Sequence, residues 1–151
     1  MLEQIAQHIP QITQRVKTIR HDIHRYPEIR YQESRTAQVV EAFLGECGIP
    51  FRRCAGTGII AVIGNGKGRV VALRSELDAL PMPDDSGLPY ASVNEEAAHA
   101  CGHDGHIAIL LAVAWVLKQM EEKIQGAVKF IWQPAEEGGA GADRMMGRCA
   151  R

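Results

Sequence analysis

The sequence predicts an α/β protein in which helices pack on a mixed sheet within one domain. Three observations predict it. Apolar residues recur at helical spacing through the first fifty positions. Short β-branched runs occupy 58–64, 69–77 and 127–133. A strongly apolar helix lies between the last two of these runs. The order reads α-α-β-β-(β)-α-β-α, and 151 residues suffice to bury a real core.

Leu2, Ile5, Ile9, Ile12, Val16, Ile19 and Ile23 form the stripe of an amphipathic helix over 2–26. Pro10 is expected to kink or restart it, and the residue before Pro27 to end it. A second helix is expected from Ser34, as N-cap, to Cys47, with Gly48 and Pro50 closing it. "GIIAVIG" (58–64) and "RVVALRSEL" (69–77) read as strands, and "GNGKG" between them as a hairpin-type turn. A polar, proline-rich loop covers 78–96, and a buried helix runs from about 105 to 120. "AVKFIWQ" (127–133) is a further strand, and "PAEEGGAGADRMM" a loop leading into a helix.

Apolar residues are 46% of the chain and charged residues 23%, the composition of an ordinary globular protein. A net charge of −1 argues against a nucleic-acid binder or a binder of anionic membranes. The N-terminus lacks the pattern of a signal peptide, and the apolar run 107–117 is too short to span a bilayer. Cys47, Cys54, Cys101 and Cys149 are widely spaced and read as free thiols or a metal ligand rather than a disulfide framework. A cytoplasmic location is the expectation.

Chemistry concentrates in three places. "HACGHDGH" (99–106) holds three histidines, a cysteine and an aspartate. Cys101 and His103, with Gly102 letting the backbone bend between them, offer a thiolate and an imidazole to zinc or, less selectively, to manganese, cobalt or nickel. Asp104 or another carboxylate could orient the imidazole, while His106 could line the site or cap the helix. In "PAEEGG", Glu136 and Glu137 leave a strand end from which both can reach one site, although such pairs more often sit in solvated loops. In "RSELDALPM", Glu76 and Asp78 end a strand, where binding groups of α/β sheets gather, or simply begin the next loop.

"RHDIHRYPEIRYQE", "ALRSELDALPM", "HACGHDGHIAILLAVA" and "WQPAEEGGAGADRMM" resemble, in order, the motifs of metal-dependent amidohydrolases. That family includes hippurate hydrolase, N-acetyldiaminopimelate deacetylase and the indole-acetyl-amino-acid hydrolases, a branch of the aminoacylase and carboxypeptidase metallopeptidases. The resemblance implies a mixed-sheet sandwich of the zinc-exopeptidase type. It implies a site for two divalent metals (zinc, manganese, cobalt or nickel), with Cys101 shared between them and His103 and Glu137 as further ligands. Glu136 would be the general base that activates water, and Asp78 would orient the site. The substrate would be a small N-acyl amino acid, hydrolysed to a carboxylic acid and a free amino acid.

Two departures from the pattern set further expectations. Glu76 stands where the family has aspartate, so a contact behind the ligands is expected to shift. Relatives continue with further sheet, a lid and dimerisation domain, and two histidine ligands. Residues 1–151 are therefore expected to be the N-terminal portion of a catalytic domain, with an open sheet edge favouring self-association and with impaired or absent activity. The tail "GRCAR" suggests a truncated or frame-shifted product. The competing expectation is a non-catalytic fragment that binds metal or docks on a partner, or one that does neither. His21 and His24 are expected to be surface or interface histidines, and His99 has no assigned role.

Overall fold

The computed structural model describes residues 2–149. Helix α1 (Leu2–Arg25) is followed by α2 (Ser34–Glu46), β1 (Phe51–Cys54), β2 (Gly58–Gly64) and β3 (Val70–Glu76). Then come α3 (His103–Gln119), a single 3₁₀ turn at Glu121–Lys123, β4 (Ala127–Gln133) and α4 (Gly141–Cys149). The α/β class and mixed sheet are as the sequence predicts.

α1 runs without a break through Pro10, so the expected restart does not occur. Proline forfeits one backbone hydrogen bond, but it lies on an exposed face, and packing of Ile12, Val16 and Ile23 into the core carries the helix past it. α2 is not capped by Ser34, which is its first helical residue. The orphan amides are met from outside the helix. Glu28 Oε1 accepts from Arg35 N at 3.1 Å, and its Oε2 accepts from Thr36 N at 2.7 Å and from the Thr36 hydroxyl at 2.9 Å. Gly48 follows the helix at φ +63°, as a C′ glycine should.

The sheet order is β1-β2-β4-β3, with β1/β2 and β2/β4 antiparallel and β3/β4 parallel. "GNGKG" is therefore not a hairpin turn, because β4 lies between the strands it joins. The real hairpin is β1–β2, over residues 55–57. The 65–69 segment instead straddles the start of β4. Asn65 N donates to Gly126 O at 3.1 Å, and Ala127 N donates to Arg69 O at 3.1 Å. The crossing is so close that a Cβ on Gly126 would stand 2.2 Å from Arg69 O.

Alternation along β2 splits the core. Ile59, Ala61 and Ile63 face α1, α2 and α3 with Phe130, Trp132, Leu44 and Leu111, while Ile60 faces α4 with Met145. On that second face the structure corrects the reading of the cysteines. Cys54 and Cys149 form a disulfide across 95 positions, and Cys47 and Cys101 remain free. The spacing hid the pair because only the fold brings the end of α4 to the end of β1.

Among the described residues β3 is a sheet edge, with Val70 and Val71 exposed. Among the described residues, no helix is long and apolar enough to cross a membrane. Ala150 and Arg151, the end of the "GRCAR" tail, lie outside the described residues.

Candidate metal centre

β3 and β4 run parallel, so their carboxyl ends share one end of the sheet. The crossover between them returns through α3, whose first turn arrives at the same end. α3 begins two residues before the expected start, which places His103 at its first position and Gly102, at φ +86°, as its cap. Cys101 lies just outside the helix and is exposed.

Asp78, fully buried, organises this end. Its Oδ1 accepts from Glu136 N at 3.0 Å and its Oδ2 from Glu137 N at 2.9 Å. Its backbone carbonyl accepts from His103 Nδ1–H at 2.8 Å. One residue thus sets the backbone of both glutamates and the rotation of the imidazole. His103 Nε2 is turned towards Glu136 Oε2, at 3.9 Å, and Glu137 Oε1, at 4.0 Å. The donor atoms of Cys101, His103 and Glu137 all lie within 4.8 Å of one another. Thiol, imidazole and carboxylate at that separation fit a divalent ion of the zinc type, with the other histidine nitrogen anchored behind it.

The loop that carries Glu136 and Glu137 is anchored by residues that the sequence did not single out. Glu33, fully buried, accepts from Ala135 N at 2.8 Å, from Tyr31 N at 2.9 Å and from the Thr57 hydroxyl at 2.6 Å. Arg30 donates to Glu137 O at 3.1 Å, and the Tyr31 hydroxyl donates to Gly139 O. Gly141 closes the loop where a Cβ would fall 1.6 Å from Pro134 O.

The electrostatics follow from this packing. Burial alone would raise the Asp78 carboxyl, but His103 and the amides of Glu137 and Glu136 outweigh it and hold the group below its usual range. Burial alone would lower His103, but its hydrogen bonds to the Asp78 side chain and backbone, helped by Glu76, carry it up to about 9. The Cys101 thiol is pushed up by its hydrogen bond to Glu137, then by slight burial and the charges of Glu137, Glu136 and Glu76. Burial drives His99 down to about 4, and neither of its ring nitrogens has a hydrogen-bond partner among the described residues.

Other expected residues are placed differently. Asp104 does not orient His103, because its carboxylate turns to Arg20 and His24. His24 is buried rather than on the surface, while His21 stacks on Tyr90 with ring centroids 3.8 Å apart. His106 does not cap α3. Its Nδ1–H donates to Glu76 Oε2 at 2.8 Å, and Glu76 Oε1 pairs with Arg74 at 2.7 Å. The longer side chain of Glu76 is thus spent on this pair. Glu76, His103 and His106 form a second group with donor atoms within 4.8 Å of one another.

Asp78→Asn presents an amide nitrogen to one of two backbone N–H donors and frees the 134–140 loop. We expect cobalt(II) affinity to fall by about 10- to 100-fold, read by titration. An unchanged affinity would show that Asp78 does not position the centre.

A thiol, an imidazole and a carboxylate thus gather at the carboxyl end of a mixed α/β sheet, a donor set suited to a divalent metal. Residues 72–151 match Peptidase family M20/M25/M40, and the chain belongs to that family. It is 42% identical over 130 residues to N-acetyl-L-cysteine deacetylase of Bacillus subtilis, covering 85% of this chain and 31% of that protein. It is 41% identical over 129 residues to IAA-amino acid hydrolase ILR1-like 5 of Arabidopsis thaliana, covering 85% of this chain and 30% of that one. Among solved structures it resembles the Bacillus subtilis YXEP protein, a dinuclear metal-binding peptidase of the M20 family. There the TM-score is 0.87 at 38% identity, over 91% of this chain and 40% of that one. The chain thus spans about a third of the length of these curated relatives.

Proposed function

We propose that this chain carries the metal-binding part of an amidohydrolase that cleaves the amide bond of N-acyl amino acids. The observation that carries the reading is Asp78, which fixes Glu136, Glu137 and His103 around one point. Cys101, His103 and Glu137 would hold zinc, manganese, cobalt or nickel. Such an ion would supply a Lewis acid for the amide carbonyl and would lower the pKa of water enough for it to be deprotonated near neutral pH.

The rest of the chemistry belongs to the chain. The Glu136 side chain is 39% exposed and lies beside His103, so it can take a proton from water and hand it to the departing amine. Its backbone is pinned by Asp78, which keeps the carboxylate at the point of reaction rather than free in a solvated loop. The relatives named for deacetylation and for hydrolysis of IAA-amino acids support the substrate class.

The same reading takes residues 1–151 as the N-terminal portion of a catalytic domain, which the 31% share of the deacetylase's length accommodates. It includes self-association through the exposed β3 edge. It also includes a cytoplasmic setting, which the free thiols of Cys47 and Cys101 suit. The Cys54–Cys149 bond is more at home in an oxidising compartment.

Release of free amino acid from N-acetyl amino acids, with added zinc or manganese, tests the reading. Glu136→Gln should lower the rate by at least about 100-fold with metal content unchanged. Activity that survives this change would remove Glu136 as the base. A chain that binds metal but releases nothing would favour the non-catalytic fragment, the reading suited to a chain with three clustered donors from about a third of its relatives' length.

A further inference from the structure

Beside the metal centre lies a buried polar cluster that the proposed reaction does not use. His24, in the last turn of α1, is 7% exposed. Its Nδ1–H donates to Asp104 Oδ2 at 2.8 Å. Its Nε2 stands 3.3 Å from Asp84 Oδ2, within ion-pair distance although not aligned as a hydrogen bond. Arg20, one turn earlier on α1, donates through Nε to the same Asp104 oxygen at 3.0 Å. Asp84 is held in place by the amides of Ser86, at 3.0 Å, and Ser92, at 2.7 Å. One imidazole therefore joins α1, the first turn of α3 and the segment between β3 and α3.

The cluster's position gives it a consequence for metal binding. Asp104 directly follows His103 and is fully buried. The turn before it is closed by a backbone hydrogen bond, from Gly102 N to His99 O at 3.1 Å, and its side chains add little packing. Cys101 is exposed, and a Cβ on Gly102 would meet nothing within 4 Å. A glycine in open space leaves the direction of the Cys101 thiol to whatever fixes the start of α3. On one side that start is fixed by Asp78 through His103, and on the other by His24 and Arg20 through Asp104. A core that needed only volume here would use an apolar side chain, because burying an imidazole between carboxylates carries a desolvation cost.

We propose that His24 and Asp84, acting through Asp104, are positioning residues of the metal centre. They hold the Cys101–Gly102–His103 turn so that thiol and imidazole converge on one ion. The inference rests on the reading of Cys101, His103 and Glu137 as the ligands.

Cobalt(II) titration of the full chain tests it, following the near-ultraviolet thiolate-to-cobalt band and the visible d–d bands. His24→Ala should weaken cobalt binding by about 10- to 100-fold, the usual effect of losing a supporting partner behind a ligand, and should shift the thiolate band. His24→Asn, whose amide N–H can still donate to Asp104 but which loses the contact with Asp84, should bind more tightly than His24→Ala and lie within about tenfold of wild type. Asp84→Asn alters only the loop side of the clamp and should cost about tenfold; it serves if His24→Ala does not fold.

A merely structural His24 would lower the melting temperature of the metal-free chain and leave cobalt affinity and spectrum at wild-type values in the folded variants. That outcome, or an Asp84→Asn chain that binds like wild type, overturns the proposal. Failure of the underlying reading looks different. In that case wild type itself shows no thiolate band, or Cys101→Ala binds cobalt as wild type does.

Discussion

Between pH 6 and pH 8, the affinity of this chain for cobalt(II) or zinc should rise by about four orders of magnitude, about 100-fold per pH unit. In the metal-free chain the Asp78 hydrogen bonds and Glu76 hold His103 at about 9 against the pull of burial, so it is protonated across this range. The Cys101 thiol, raised by its hydrogen bond to Glu137 and by neighbouring carboxylates, is protonated as well. A metal ion needs both groups without their protons, so two protons leave for each ion bound and the logarithm of affinity climbs with a slope of about 2. Removing the thiol in Cys101→Ala should reduce the slope to about 1. A slope near zero in the intact chain would show that neither group is a ligand.

The same groups predict the opposite trend for the metal-free fold. A histidine raised from 6.5 to about 9 contributes stability that is fully present below 6.5 and is lost as pH rises through about 9. Asp78, held low against its own burial by His103 and two amides, contributes stability that persists above the ordinary carboxylate range and is lost only in stronger acid. The metal-free chain should therefore melt progressively lower from pH 6.5 to pH 9, while bound metal becomes more protective over the same interval.

Glu33→Ala should destabilise the chain by about 3 kcal/mol or more, because it orphans three donors at once around a fully buried side chain. Those donors are the amides of Tyr31 and Ala135 and the hydroxyl of Thr57. They belong to three separate segments: the entry to α2, the loop after β4 and the β1–β2 hairpin. For a domain of this size the melting temperature should fall by roughly 6–12 °C. Glu33→Gln, which keeps one acceptor oxygen, should lie between the two. A melting temperature within a degree of wild type for Glu33→Ala would show that the buried carboxylate does not hold these segments together.

Glu33 also marks the limit of what the residues disclose before folding. The ligand candidates were legible because the chemistry is local. A thiol and an imidazole two positions apart around a glycine stand out by themselves, whereas the adjacent carboxylates at the end of an apolar strand gained their proposed roles only from the family resemblance. Asp78, an acid at a strand end that could equally begin a loop, likewise took its orienting role from the resemblance. What was hidden depends on contacts between distant segments. Glu33 sits beside Ser34, whose type suggests a cap, and nothing in its neighbourhood shows the three donors that converge on it. His24 was misplaced because its i,i+3 spacing from His21 fits a helix face, and only the position of Asp104 shows which face is buried. β4 enters between β2 and β3 from more than fifty residues away, against the hairpin composition of "GNGKG". The Cys54–Cys149 pair was invisible for the same reason.

The central claim is that Cys101, His103 and Glu137 hold a divalent ion together, and the cobalt(II) spectrum of the intact chain at pH 7.5–8 tests it most directly. The account predicts saturable binding with a near-ultraviolet thiolate-to-cobalt band that disappears in Cys101→Ala, together with loss of affinity by at least about 100-fold. Cobalt binding of unchanged stoichiometry and affinity in Cys101→Ala, with no thiolate band in the intact chain, would contradict it.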